Sequence, residues 1–155
     1  GEPEKAVSLY EKACEIDPMD YQAPLLAAQI YEDIGRMEEA EAARRRGIAS
    51  VEERLLLHPE DGRALYMGAN GLVALGEIER GLDWARRARN LAPDDSMLLY
   101  NLGCIYSLAG EIEEAISCLE RAVAHGLTQK GWYEHDSNLD ALRAHPRFKA
   151  LLNKL

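Results

Sequence analysis

Three cysteines, four histidines and several acidic pairs are the intrinsically reactive residues of this 155-residue chain. Their spacing assigns none of them a reaction. Cys14, Cys104 and Cys118 are odd in number and sit in helix-compatible settings, which argues against a disulfide framework. They read as small apolar fillers in a reducing, cytoplasmic compartment. His58, His125, His135 and His145 show no metal-type spacing with one another or with a cysteine. His58 and His125 fall at helix ends, where a cation is mildly favoured; His135 and His145 could meet Asp136 in the C-terminal stretch. Glu38-Glu39 and Glu113-Glu114 are solvated helix starts. Gly68-Ala69-Asn70-Gly71 lies within a helix, so its amides are not free for phosphate. Arg44-Arg45-Arg46 and Arg86-Arg87 read as solvated outer faces. The expectation is no catalytic residue, no metal and no cofactor, hence no enzyme.

Two tyrosines and two asparagines carry a different chemistry, that of contact. Tyr66 and Tyr100 offer large amphipathic area of the kind that anchors interfaces. Asn70 and Asn101 each donate and accept, which suits the backbone of an extended peptide. Such residues bind only where neighbouring elements hold them on one surface.

The elements are helices. Apolar residues make up 47% of the chain, mostly Ala and Leu, which favour helix. Gly1, Gly35, Gly76 and Gly110 are separated by 34, 41 and 34 residues. The small residues Ala6, Ala40, Gly81 and Ala115, five positions further on, repeat those gaps, and Pro18, Pro59 and Pro93 follow at 41 and 34. Three residue classes in one register define an internal repeat. Each proline stops a helix, and the acidic residue after it favours the start of the next. Ala28, Ala69 and Gly103 let paired helices approach, with Tyr31, Leu72 and Tyr106 filling the space beside them. Close approach also explains Gly68 and Gly81, since glycine costs about 1 kcal/mol in a helix interior.

The unit resembles the tetratricopeptide repeat, a helix–turn–helix of about 34 residues. The fullest copy, Ser96–Leu127, reads Leu99-x-x-Leu102-Gly103-x-x-Tyr106, then Gly110, Ala115-x-x-x-Leu119 and Ala122. The copy Gly62–Asp95 carries Leu65, Gly68, Ala69, Leu72, Gly76, Gly81, Ala85, Ala88 and Pro93. The copy from Tyr21 carries Ala27-Ala28-x-x-Tyr31, Gly35, Ala40 and Gly47, and the opening segment only a second helix with Ala6, Tyr10, Ala13 and Pro18. The resemblance implies an all-α, right-handed α-solenoid of helical hairpins with C-terminal capping helices. As one domain it divides into a partial repeat at 1–20, a repeat with an extended second helix at 21–61, repeats at 62–95 and 96–127, and a cap at 128–155. The 41-residue gap adds about two helical turns before Pro59. One helix is therefore predicted from Met37 to Leu57, protruding beyond the solenoid, with Leu55-Leu56-Leu57 packed on the helix that begins near Arg63.

The tail resembles the end of tetratricopeptide arrays at the C-terminus of bacterial multidomain signalling proteins, through Gly131-Trp132, Asp136, Leu139-Asp140, Leu142-Arg143, Pro146-Arg147-Phe148 and Leu151-Leu152. Ser137 or Asp136 can cap a short helix through Arg143, and Pro146 suits the first turn of a last one. Leu139, Leu142, Phe148, Leu151 and Leu152 give that cap an apolar side.

Stacked hairpins of this kind line a concave groove with their first helices. The groove set is Gln22, Leu25, Gln29 and Asp33 from the first full hairpin; Arg63, Tyr66, Met67, Asn70 and Val73 from the second; and Met97, Tyr100, Asn101 and Cys104 from the third. The resemblance implies a protein-binding scaffold whose partner is a protein or peptide. A clamp for the carboxylate of chaperone C-termini is disfavoured, because Tyr66 stands where its first lysine would be. The net charge of −9 argues against nucleic acid and anionic membrane as partners. Self-association into a homodimer is the alternative, through an open face of the first helix at Val7, Tyr10 and Cys14.

Overall fold

The computed structural model describes residues 2–155, and Gly1, the first of the aligned glycines, lies outside them. The described residues form nine α-helices and one 3-10 helix, with no strand among them. In chain order these are α1 (Glu2–Ile16), α2 (Gln22–Asp33), α3 (Met37–Leu57), α4 (Gly62–Ala74), α5 (Ile78–Leu91), α6 (Ser96–Leu108), α7 (Ile112–Ala124), α8 (Lys130–His135), the 3-10 helix Ser137–Leu142, and α9 (Pro146–Lys154).

The punctuation of the sequence is the punctuation of the chain. Gly35, Gly76 and Gly110 have φ of 77°, 82° and 81°, a left-handed conformation that costs glycine no Cβ clash. Each ends the first helix of a hairpin. The following amide closes the turn on the carbonyl five residues back: Arg36 on Tyr31 at 2.7 Å, Glu77 on Leu72 at 2.9 Å, Glu111 on Tyr106 at 2.9 Å. After the prolines, Asp61 accepts from the Ala64 amide at 3.0 Å and Asp95 from the Leu98 amide at 2.7 Å, capping α4 and α6.

Three hairpins, α2–α3, α4–α5 and α6–α7, stack so that α2, α4 and α6 neighbour one another in an inner layer. Close approach holds each hairpin together. A Cβ on Gly81 would lie 2.7 Å from Val73 Cγ2 and 3.0 Å from the Ala69 carbonyl oxygen, and one on Gly103 would lie 2.6 Å from Leu119. One apolar cluster runs from Tyr21 through all three hairpins to Leu151 in the tail. A smaller one joins Val7 to Ala28, Tyr31, Ala40 and Ala43.

Two expectations are corrected here. Val7 is buried against α2 rather than open, and Tyr10 packs beside it. The helix α1 stacks on α2 as a second helix stacks on the next hairpin, which takes up Val7, while Tyr10 and Cys14 stay half-buried. The long helix has the predicted bounds, Met37–Leu57. Of its terminal leucines, though, only Leu55 reaches the core; Leu56 and Leu57 are 83% and 77% exposed. Adjacent residues on a helix point about 100° apart, so one neighbouring helix cannot receive all three.

The tail folds back as a cap. Asp136 receives the Asn138 amide at 2.9 Å and starts the 3-10 helix. Pro146 opens α9, with His145 Nδ1 as its capping acceptor. Tyr133, Leu139, Leu142 and Phe148 are fully buried. Arg147 ties the cap to α7 through Glu120 at 2.7 Å and Glu113 at 2.5 Å. The short helix α8 has no counterpart in the sequence expectations.

Candidate functional site

The inner layer encloses two adjoining cavities. The first, of about 280 Å³, is lined by Leu25, Leu26, Gln29, Arg44, Arg63, Tyr66, Met67, Asn70, Gly71, Asn101, Cys104, Ile105, Asp136 and Asn138. The second, of about 800 Å³, is lined among others by Gln29, Glu32, Asp33, Arg44, Asn70, Val73, His135, Asp136 and Asn138. Gln29, Arg44, Asn70, Asp136 and Asn138 border both, so the two form one continuous groove.

Helical spacing brings most of the predicted groove residues together. Leu25, Gln29, Arg63, Tyr66, Met67, Asn70, Asn101 and Cys104 line the first cavity, and Asp33 and Val73 the second. Gln22 instead borders a separate depression near Met19 and Leu57. Met97 is exposed and borders neither cavity. Asn101 turns back on its own helix, donating Nδ2–H to the Met97 carbonyl at 2.8 Å.

Tyr100 requires a correction. It is 6% exposed, because the cap covers it. Trp132 and Tyr133 pack on its ring at centroid distances of 5.7 and 5.2 Å. Its hydroxyl donates to Asp136 Oδ2 at 2.8 Å. Burial, reinforced by Cys104 and Asp136, pushes this phenol well above its usual range. Burial likewise pushes Tyr133 up to about 12, and its hydroxyl donates to the Leu127 carbonyl at 2.8 Å. The Cys104 thiol, raised by burial and by the Asp136 carboxylate, stays protonated and points to that carboxylate at 3.5 Å. Tyr100 is thus part of the cap's seat and not a free anchor.

Sequence reasoning missed several groove residues, among them three polar ones that border both cavities. Asp136 and Asn138 arrive from the tail, whose return onto α6 no local pattern announces. Arg44 was placed on a solvated outer face, and the structure overturns that: it is 6% exposed and borders both cavities. A signal for it was present. Counting four residues on from Ala40, Gly81 and Ala115 gives Arg44, Ala85 and Leu119, and Ala85 and Leu119 are fully buried.

Among the described residues no group of three or more His, Cys, Asp or Glu side chains is placed to hold a metal ion. His145 instead faces Glu113 at 3.2 Å. No helix among them is long and apolar enough to cross a membrane.

Comparison with known proteins agrees with this architecture. The tetratricopeptide repeat family is matched at residues 96–126 by one model and at residues 1–19 by another. No curated protein matches the chain. Among solved structures the chain is similar to a crystal structure of MamA, with a TM-score of 0.56 and 21% identity over 99% of this chain and 86% of that one. A second MamA structure gives 0.53 and 23% over 99% and 77%, and a MamA double mutant 0.51 and 18% over 99% and 87%. At such identities the likeness is one of fold. The chain is an all-α solenoid of tetratricopeptide-type hairpins, the architecture of protein–protein interaction scaffolds.

Proposed function

We propose that the groove between α2, α4 and α6 holds an extended segment of another protein, by surface complementarity and without turnover. The observation that carries this reading is a set of unengaged carboxamides. The side chains of Gln29, Asn70 and Asn138 border both cavities and have no hydrogen-bond partner among the described residues. Each presents a donor and an acceptor, the pair that an extended backbone offers in return. Leu25, Leu26, Met67 and Ile105 supply an apolar floor beside them, and Tyr66 stands at its edge. The tail's resemblance to the ends of arrays in bacterial signalling proteins supports placing the chain in such a regulatory protein.

The test is selection of linear peptides from a phage-displayed library, followed by calorimetric titration of the synthetic consensus. Tyr66→Ala with Asn70→Ala should weaken binding by about a hundredfold, since an interface anchor contributes about 2 kcal/mol or more. Unchanged affinity in a variant with the parent circular dichroism spectrum would refute the groove.

A further inference from the structure

Arg44 occupies a position that the other two hairpins fill with apolar core residues, Ala85 and Leu119. Its side chain is 7% exposed. A charge in such a place is costly unless paired and fully hydrogen-bonded. The pairing is incomplete. One terminal nitrogen donates to Glu32, whose own side chain is 47% exposed. The remaining guanidinium nitrogens have no partner among the described residues. They are not sealed away, because the only buried side-chain polar atom left unpartnered among those residues is Ser107 Oγ. The spare donors therefore keep some exposure, on a side chain that borders both cavities.

The charges around it differ between the two cavities. Arg63 borders the first cavity with Arg44 and has no ion pair among the described residues. Asp33, also without an ion pair among those residues, borders the second cavity together with Glu32 and Asp136. Arg44 and Asp136 border both cavities, so the ends differ in what each adds: a second guanidinium, Arg63, at the first and the carboxylates of Glu32 and Asp33 at the second.

Resting on the groove reading above, we propose that Arg44 is the residue that determines specificity. It receives an acidic side chain of the bound segment, with Arg63 as second cation, and the Asp33 carboxylate receives a Lys or Arg further along. Glu32 holds the guanidinium in place until the ligand's carboxylate takes up the spare donors, in the planar two-point geometry that arginine favours. The segment thus lies in one direction only, its acidic residue over the first cavity and its basic residue over the second.

The experiment uses the peptides selected from the linear library. The consensus should carry an Asp or Glu followed or preceded at a fixed distance by Lys or Arg. It is titrated against the parent protein, Arg44→Leu, Arg44→Gln and Asn70→Ala, with the melting temperature of each recorded. Arg44→Leu installs the residue of the equivalent position in α7, so it should fold with an unchanged or raised melting temperature. It should bind about tenfold or more weakly, the scale of a charge-assisted pair. Replacing the acidic residue of the peptide by Gln should cost the parent the same factor and cost Arg44→Leu nothing further. Should Arg44→Leu unfold, Arg44→Gln carries the same comparison. Affinity lost in Asn70→Ala but kept in both Arg44 variants leaves the groove standing and overturns this proposal. Equal losses for the acidic and the Gln peptide in every variant overturn it as well, and failure to select any peptide overturns both readings.

Discussion

Tyr66 and Tyr100 stand 34 residues apart at one position of the repeat, yet one edges an open groove and the other is part of the core. Beyond Tyr66 the groove continues to α6. Against Tyr100 the tail lies down, with Trp132 and Tyr133 on the ring and Asp136 on the hydroxyl. A first helix keeps its inner face available only when its neighbour is another first helix. The same holds one turn on, where Asn70 has a free carboxamide while its repeat equivalent Cys104 faces Asp136. Identical register gives binding residues in the middle of the stack and structural ones at its end.

This comparison can be broken most directly by truncating the two tyrosines. Tyr100→Ala should destabilise the protein by about 3–5 kcal/mol, the cost of emptying a buried aromatic site. Tyr66→Ala should cost about 1 kcal/mol or less, because its side chain is partly solvated. Chemical denaturation of both variants decides it, and equal losses would show that the two positions are not distinguished by the cap.

Gly81→Ala sharpens it next. Alanine is the better helix former by about 1 kcal/mol. Its methyl would nevertheless meet the Ala69 carbonyl oxygen and Val73, so a net loss of about 1–2 kcal/mol is expected from overpacking. A melting temperature above that of the parent would mean that α4 and α5 separate freely.

The cap should also have a pH signature. Tyr100 and Tyr133 both have raised folded-state pKa values, Tyr133 at about 12, against about 10 in the unfolded chain. A raised folded value favours the protonated form. The stability this gives is complete below the unfolded value and is lost as pH rises through the folded one. The denaturation midpoint should therefore fall between about pH 10 and pH 12, and Tyr133→Phe should flatten that fall. A midpoint that does not move over this window would contradict the burial described. The smallest effect is expected at the end of α3, where Leu57→Ser should alter stability by about 0.5 kcal/mol or less; a larger loss would reveal packing beyond what its 77% exposure shows.

Most of the fold could be read from residue spacing. Gly35, Gly76 and Gly110 had to be turn residues because a left-handed conformation recurs at each hairpin, and helix periodicity then placed Gln29, Arg63, Tyr66, Met67 and Asn70 on one surface. Two kinds of residue escaped that reasoning. Asp136 and Asn138 belong to an irregular tail, and whether it extends away or returns depends on contacts with α6 more than 30 residues earlier in sequence, such as the bond from Tyr100 to Asp136 with a separation of 36. Arg44 was read by residue type when its register said otherwise: its position faces inward whatever side chain it bears.

By itself the sequence determined the repeat, the hairpin turns, the extent of the long helix and the faces that first helices share, because each of these follows from local backbone preference and a fixed period. Only the tertiary structure decided which of the shared faces stay open, where Arg44 reaches, and that Val7 of α1 is already covered. Those outcomes depend on which surfaces meet. Burial is a property of a residue's neighbours in space, and those neighbours are set by the stack as a whole.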